Sequence, residues 1–302
     1  ALAAEALYML AQYHYDQDRF DQAQQLYAQA VQKAEQAGAD PELAEKARYK
    51  LGWSVFRQDQ FERAAEAFRD QVDRAPQGQL AVDGLFMLGR CAEAQQQYQA
   101  ALAAFARAQA LIEQGHAPAA APTKTLVYLH AAQAHRELKQ YAEALAALNK
   151  IADIGTDQPY RDAILFERAW IEQLQGRLPA ALNLFQQVAE EYRNAVGARA
   201  RFMIGEIYFS QRQFDQAIPQ FQRVMYGYGA EKAPEEIKAW QARAALEAAR
   251  CSETLAGSLQ GQNREKMIRA AEDFYRYIVE KHGGHEVAQQ ARSRLGELRK
   301  LR

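Results

Sequence analysis

The sequence predicts an all-α protein, because helix-forming residues dominate it and residues that form tight turns are scarce. Ala, Gln, Glu and Leu recur along the 302 residues, whereas there are only 17 glycines and 8 prolines. Hydrophobic residues at 49% and charged residues at 25% are values of a folded globular chain, which excludes a disordered one. A mean hydropathy of −0.48, without a long uncharged apolar run, argues against a transmembrane helix. Length alone predicts about two domains.

Charge and cysteine content limit the classes of function that the chain is expected to have. The 37 Lys and Arg residues against 38 Asp and Glu give a net charge of −1, so the basic excess typical of a nucleic-acid binder is missing. Cys91 and Cys251 match no paired metal or redox spacing, which predicts two buried, small apolar fillers. The chain begins at Ala1 without a methionine, as a processed or excised piece of a longer protein would.

A short phrase recurs along the chain: an aromatic or large apolar residue, two further residues, an alanine, and an aromatic or large apolar residue four positions later. The alanines of the seven copies are Ala23, Ala64, Ala101, Ala144, Ala181, Ala217 and Ala271. In the second copy, Phe61, Ala64 and Phe68 fall on one stripe of a helix. Each of the first six copies follows a segment that ends in a small residue: Leu10-Ala11, Leu51-Gly52, Leu88-Gly89, Ala131-Ala132, Arg168-Ala169 and Ile204-Gly205. The two patterns together predict pairs of helices whose small residues, such as Gly52 and Ala64, face each other.

These phrases resemble the tetratricopeptide repeat family, whose unit of about 34 residues is a helix–turn–helix with a W-x2-L-G-x2-Y…A…F pattern. The resemblance covers nearly the whole chain. It implies a single right-handed superhelical solenoid over residues 1–302, with about seven repeats and a C-terminal capping helix. The expected repeats are 4–37, 44–77, 81–114, 124–156, 161–194, 197–230 and 235–283, with the cap at 285–302.

Three segments fall outside the regular repeat. Residues 115–122 (GHAPAAAP) are expected to form an exposed loop, and residues 257–263 (GSLQGQN) are expected to lengthen the seventh hairpin. At the C-terminus, Val287, Ala291, Leu295 and Leu298 repeat at helical spacing. This pattern predicts an amphipathic helix that closes the end of the solenoid.

Signatures of catalysis are missing from the sequence. It contains no glycine-rich phosphate loop, no G-x-S-x-G elbow and no H-E-x-x-H motif, so neither an enzyme nor a cofactor is expected. His282 and His285 form the one close histidine pair; a solvated turn is the favoured interpretation, and a metal site is the alternative. The basic C-terminal residues, Arg292 to Arg302, are interpreted as the polar outer face of the cap, with phosphate binding as the alternative.

In the family, the first helices of the repeats line a concave groove that receives a peptide or helix. Groove positions lie three residues before the small residue and one and four residues after it. Matching that motif predicts a partner-binding groove that includes Tyr8, Tyr15, Tyr49, Trp53, Phe56, Phe86, Arg90, Arg136, Phe166, Trp170, Phe202 and Phe209. The alternative is that longer turns between the repeats rotate these side chains into packing contacts.

The position directly after the small residue excludes one well-known partner class. Family members that capture an acidic C-terminal tail with a carboxylate clamp need Asn there. In this chain the residues are Gln12, Trp53, Arg90, Gln133, Trp170 and Glu206. None is Asn, so an apolar or mixed peptide, or a helix of a partner, is the expected ligand.

The main functional hypothesis is a non-enzymatic scaffold that binds a protein or peptide partner. The stretches that begin at Phe185 and Phe274 resemble bacterial cell-envelope members of the outer-membrane assembly and Tol-Pal coordinating types. This resemblance favours the periplasm over the cytoplasm, although the usual Tyr-Pro-Asp-Ser turn reads Tyr192-Arg193-Asn194-Ala195. Two rival hypotheses remain: a regulator whose ligand docks between Trp53 and Trp170, and the interaction module of a larger protein with a catalytic domain. Nothing in the sequence sets the oligomeric state.

Overall fold

A computed structural model describes residues 2–36, 40–118, 120, 122–152 and 160–300. The chain divides into two compact units, Ala1–Pro159 and Tyr160–Arg302. Parts of the predicted 115–122 loop, the end of the fourth repeat and the last two residues of the cap lie outside the described residues, as do the side chains of Arg299 and Lys300. The single solenoid over residues 1–302 stays a prediction.

The first unit is a succession of antiparallel helical hairpins in which each helix packs against the next one along the chain. Its helices are α1 (Leu2–Asp16), α2 (Phe20–Gln36), α3 (Pro41–Phe56), α4 (Phe61–Arg74), α5 (Ala81–Ala94), α6 (Tyr98–Glu113), α7 (Thr123–Glu137) and α8 (Tyr141–Ala152). Odd-numbered helices are the first helices of the hairpins, and even-numbered helices are the second.

The second unit has the same pattern of hairpins, with two longer helices, α13 and α14, before its last helix. It contains α9 (Arg161–Leu174), α10 (Leu178–Glu191), α11 (Ala195–Ser210), α12 (Phe214–Gly227), a 3-10 turn (Ala230–Lys232), α13 (Glu235–Ser258), α14 (Gly261–Lys281) and α15 (Ala288–Lys300). No β-strand occurs in the described residues of either unit. The prediction of an all-α helical-repeat fold is therefore confirmed.

The recurring phrase of the sequence forms the core of each hairpin. All seven of its alanines are fully buried, and so is the large residue four positions later in each copy: Tyr27, Phe68, Phe105, Leu148, Phe185, Phe221 and Tyr275. An alanine and a ring four residues apart lie on the same side of a second helix, so together they fill the space toward the first helix.

The glycines of the first helices accommodate these rings. A Cβ built on Gly89 would lie 2.2 Å from Cε1 of Phe105, and one built on Gly52 would lie 2.7 Å from Cε1 of Phe68. The nearest neighbour of Gly52 is thus the ring of Phe68, whereas the sequence predicted the small residue Ala64. The close approach is between a glycine backbone and an aromatic ring.

Six hairpin turns share one backbone geometry. The residue in the left-handed region, with φ between 55° and 75°, is Asp18, Asp59, Gln96, Lys139, Gly176 or Arg212. The amide of the following residue donates to a carbonyl of the last helical turn, as Gln97 N–H does to Ala92 O at 2.8 Å. This is a Schellman ending, in which glycine is the preferred residue. Only Gly176 among the six follows that preference.

The seventh hairpin is longer than the others because its two helices are longer. The sequence placed the insertion at residues 257–263, but α13 has 24 residues, α14 has 21, and only Leu259 and Gln260 lie between them. The extra residues continue the helices because Ala244, Ala248 and Cys251 extend one buried stripe along α13.

The last helix has the amphipathic pattern that the sequence predicts. Ala291, Leu295 and Leu298 are buried against the preceding hairpin, whereas Gln289 and Arg292 are exposed. Its outer side is polar, as the outer side of a terminal helix in a repeat array needs to be.

Candidate partner-binding faces

The predicted groove residues that precede the small residue by three positions are held by ring contacts inside their own hairpins. Each ring centroid lies 5.3–6.2 Å from that of the core ring on the second helix, in the pairs Tyr8–Tyr27, Tyr49–Phe68, Phe86–Phe105, Phe166–Phe185 and Phe202–Phe221. Phe86 and Phe166 are buried, and Tyr8, Tyr49 and Phe202 are half-buried. These side chains therefore belong partly to the core and partly to the first-helix surface.

The aromatic residues four positions after the small residue pack against the start of the second helix. Their ring centroids lie 5.3–5.5 Å from those of its first residue, edge to face, in the pairs Tyr15–Phe20, Phe56–Phe61 and Phe209–Phe214. Arg136 occupies the same position in α7 and is buried beside Glu137. These contacts hold the side chains in place beside the hairpin turns.

The side chains directly after the small residue are all half-buried. In the first unit, Trp53 is half-buried, with its ring 6.4 Å from Tyr49 and 5.8 Å from Phe56. Gln12 accepts a 3.0 Å hydrogen bond from the hydroxyl of Tyr27. Trp53 also packs against the buried core cluster that runs from α3 to α7.

Charged groups surround Phe86 on the surface of α5 and α7. Arg90 Nε lies 3.2 Å from Glu93 Oε2, and His130 Nδ1 lies 2.9 Å from the same oxygen. The His130 ring also lies 5.4 Å from Phe86. The sequence reasoning did not identify His130, which lies two residues before the small residue, outside the positions considered.

In the second unit, an arginine lies among three aromatic rings. The guanidinium carbon of Arg199 on α11 is 4.5 Å from the ring centroids of both Phe166 and Trp170 on α9, and 5.7 Å from that of Trp240 on α13. These distances are within the range of cation–π attraction, which brings side chains of three successive first helices together. The Phe202 ring lies 5.3 Å from Trp240 and extends the cluster.

A half-buried carboxylate, that of Glu206, lies on α11 one helical turn after Phe202. Oε1 of Glu206 is buried and accepts no hydrogen bond from any of the described residues. Glu247 on α13 is already paired with Arg250, whose Nη1 lies 2.8 Å and 3.0 Å from its two oxygens. Burial and the nearby Glu247 charge raise the pKa of Glu206 to about 7, although the positive charge of Arg250 opposes the change.

Together these side chains form what we name the α9–α11–α13 face: Phe166, Trp170, Arg199, Phe202, Glu206, Phe209, Trp240, Glu247 and Arg250. The sequence predicted Phe166, Trp170, Phe202 and Phe209 and placed Glu206 directly after a small residue. It missed Arg199, Trp240, Glu247 and Arg250. Arg199 lies one helical turn before Phe202, so extending the groove positions by three residues would have found it. Trp240 lies on the lengthened α13, where no small-residue motif had been recognised.

The remaining chemical candidates are buried side chains. His282 is buried rather than solvated, and burial together with His285 and Lys238 lowers its pKa. Cys91 and Cys251 are buried thiols, and burial raises the pKa of each to about 12. Within the described ranges, no cluster of three or more histidine, cysteine or acidic side chains is arranged to hold a metal ion, and no helix is long and apolar enough to cross a membrane.

Comparisons with known families match both units. The family model described as "Tetratricopeptide repeat" matches residues 8–79 and 49–118, and the model described as "Tetratricopeptide repeat protein 21 ARM repeat" matches residues 85–220. No curated protein matches the chain by sequence.

Several solved structures share the fold at low identity. A tetratricopeptide repeat protein from Parabacteroides merdae has a TM-score of 0.65, with 14% identity and 99% of both chains covered. The C-terminal part of a TPR repeat-containing protein from Cytophaga hutchinsonii has a TM-score of 0.57, with 11% identity, 94% of this chain and 98% of that chain covered. A Rap protein, solved in complex with competence and sporulation factor, has a TM-score of 0.53, with 14% identity and 98% of both chains covered.

The helical hairpins and their first-helix faces define a scaffold of the protein–protein interaction class. The chain belongs to the tetratricopeptide repeat family. Members of this family bind protein or peptide partners and are typically non-enzymatic.

Proposed function

We propose that the chain is a non-enzymatic scaffold that binds a protein partner through a peptide or helix laid on its first helices, with the α9–α11–α13 face as the main contact. The observation that supports this most is the position of Arg199 among Phe166, Trp170 and Trp240. Tryptophan and arginine side chains that are already packed against one another lose little freedom on binding, which makes them effective contact residues.

The charge of the face defines the chemistry of the partner. Glu206 has a buried oxygen without a hydrogen-bond donor among the described residues, and it lies on α11 between the half-buried Phe202 and Phe209. A lysine or arginine side chain of the partner would donate a hydrogen bond to this carboxylate and would compensate for its partial loss of hydration. The proposed ligand is therefore a segment with an aromatic or aliphatic residue close to a basic one.

The twelve predicted groove residues divide into two roles in this proposal. Phe86, Arg136 and Phe166 are buried and expose almost no surface, so they support the face from below. The other nine are half-buried and offer contact area: Tyr8, Tyr15, Tyr49, Trp53, Phe56, Arg90, Trp170, Phe202 and Phe209. In the first unit, Trp53 is the proposed contact that corresponds to Trp170.

The Rap protein that shares the fold was solved with a bound factor, which supports a partner-binding role for this architecture. A place in a bacterial envelope assembly rests on the sequence resemblance of the stretches at Phe185 and Phe274 alone. The rival hypothesis of a ligand between Trp53 and Trp170 concerns residues of two different units and stays a prediction.

The proposal is tested by selecting binders from a displayed library of random 12-residue peptides with the wild-type chain and with a Trp170→Ala/Trp240→Ala variant. We expect the wild type to enrich peptides with an aromatic or aliphatic residue near a lysine or arginine, and the variant to lose them. Binding of a selected peptide should change the emission of Trp170 and Trp240, which are two of the three tryptophans.

Tyr226→Ala is the matched control, because Tyr226 is exposed and lies outside the face. This variant should retain the selected peptides, and circular dichroism should show unchanged helicity in all three proteins. Peptides that bind the wild type and the double variant equally would refute the α9–α11–α13 face as the binding site. Enrichment of acidic rather than basic peptides would refute the role of Glu206.

A further inference from the structure

The ring of His282 is buried where the turn between α14 and α15 meets the beginning of α13. The residue ends α14: its amide donates to Ile278 O, and its carbonyl accepts from the amide of His285, both at 2.9 Å. His282 is 9% exposed, and its ring centroid lies 5.2 Å from that of Tyr277. Nε2 of the ring is buried and has no hydrogen-bond partner among the described residues. This histidine is therefore not the solvated side chain that the sequence favours.

The burial of Nε2 makes this position sensitive to protonation. A neutral imidazole carries a hydrogen on one ring nitrogen, whereas a protonated imidazole carries a hydrogen on both. Protonated His282 would bury a positive charge and an N–H group without an acceptor, and both are unfavourable inside a protein. Burial, His285 and Lys238 accordingly lower the pKa of His282, although the negative charge of Glu235 opposes the change. The closed junction therefore holds the neutral ring.

The charged side chains around His282 are paired with one another rather than with its ring. Glu235 on α13 lies 2.8 Å from Lys238 and is 87% exposed, so it is a poor acceptor for a buried ring. Glu231 in the 3-10 turn lies 2.6 Å from Lys281. Further titratable or charged groups nearby are Tyr226 on α12, Tyr277 on α14, His285 and Glu286 in the turn, and Arg292 on α15.

Two glycines directly after His282 allow the ring to leave its buried position. Gly283 and Gly284 have no Cβ, and a Cβ built on Gly284 would meet no other atom within 4 Å. A rotation of the backbone at this pair would turn the imidazole outward into water while α14 stays helical up to Lys281.

We propose that His282 is an acid-sensitive switch, whose protonation opens the contact between the beginning of α13 and the turn between α14 and α15. Its contribution to the closed form is complete above pH 6.5, which is the ordinary pKa of a histidine open to water. The contribution decreases as the pH falls from there toward the lower pKa of the buried ring, because the open form binds the proton more tightly. The switch does not depend on the function proposed for the α9–α11–α13 face.

The test is amide hydrogen exchange of the full chain, followed by mass spectrometry from pH 7.5 to pH 5. The segment that reports is 278–291, which includes the amides of His282, His285 and Ala288 that close the turn. For the wild type, we expect the protection factor of this segment to fall by about fivefold or more, since one proton changes the opening equilibrium by up to tenfold per pH unit.

His282→Phe keeps a ring at this position without a nitrogen that titrates, so the protection factor of its turn should be independent of pH. His285→Gln is the matched control, because it removes the half-buried neighbouring histidine of the same turn and should keep the fall at acid pH. Equal pH dependence in the wild type and His282→Phe would overturn the proposal. A fall that His285→Gln abolishes would also contradict it, because His285 would then be the group that titrates.

An NMR titration of the wild type does not rely on the folding of any variant. The Cε1–H resonance of His282 should titrate below the ordinary 6.5, and the amides of the turn should lose protection over the same pH range. A resonance that titrates at pH 6.5 or above is evidence against the switch. So is a resonance that titrates while the amides of the turn keep their protection.

Discussion

Replacing Glu206 by glutamine should change how the stability of the second unit depends on pH. The pKa of Glu206 is raised from an ordinary 4.5 to about 7, so the folded state holds a proton that the unfolded state releases between these values. The wild type has its full stability below about pH 4.5 and loses part of it as the pH rises through 7. The Glu206→Gln variant has no such proton to lose.

The size of the effect follows from the pKa difference. Without any reduction for solvent, the pKa difference between 4.5 and about 7 corresponds to about 3 kcal/mol of unfolding free energy. Solvent still reaches the half-buried side chain, which reduces the expected effect to about 1–2 kcal/mol. For a unit of this size, that is a rise of about 4 °C in the unfolding midpoint of Glu206→Gln relative to wild type above pH 7.

The measurement is the difference in thermal midpoint between Glu206→Gln and wild type, recorded from pH 4 to pH 8.5. Glu236→Gln is the control, because Glu236 is an exposed carboxylate on the same unit. The reasoning is refuted if the Glu206→Gln difference is independent of pH, or if it grows toward acid pH. A direct titration of the Glu206 carboxyl carbon by NMR should give the same midpoint, near pH 7.

Three further outcomes are expected. Gly176→Ala should lower the free energy of unfolding by about 1 kcal/mol, because φ is 75° there. Gly296→Ala should raise it by about 0.5–1 kcal/mol, because Gly296 lies in a helix with open space around it. Thermal unfolding of the two variants checks both signs. Phe105→Ala should cost about 3–5 kcal/mol in chemical unfolding because its ring is fully buried, and a cost below about 1 kcal/mol would contradict the core assignment. Cys91 and Cys251 should react with a disulfide reagent at pH 8 only after unfolding, since both thiols are buried with a pKa near 12.

The sequence predicted the hairpins and their cores because those contacts are local. An alanine and a ring four residues apart, such as Ala101 and Phe105, necessarily share one side of a helix, and the partner glycine lies a fixed twelve residues before the alanine. The sequence did not predict that Gly89 faces the ring rather than the alanine. That detail depends on how the two helices are rotated against each other.

The candidate site could be predicted only in part, because its main contacts join successive first helices. Phe166 and Trp170 were found from their own repeat, but the arginine between them and Trp240 comes from α11. The distance from one first helix to the next depends on the angle between hairpins, which a repeat pattern does not encode. The difference in burial between Phe86 and Trp53, which lie on first helices of neighbouring hairpins, has the same origin.

The succession of hairpins also determines how the molecule would respond to force. Because each helix packs chiefly against its neighbours in sequence, pulling on the ends of a unit should detach hairpins one at a time from an end rather than break one central core. An ordinary repeat of about 34 residues would release about 110 Å of chain. The longer α13–α14 hairpin, from Glu235 to Lys281, would release about 160 Å and give a step of its own in a single-molecule extension trace.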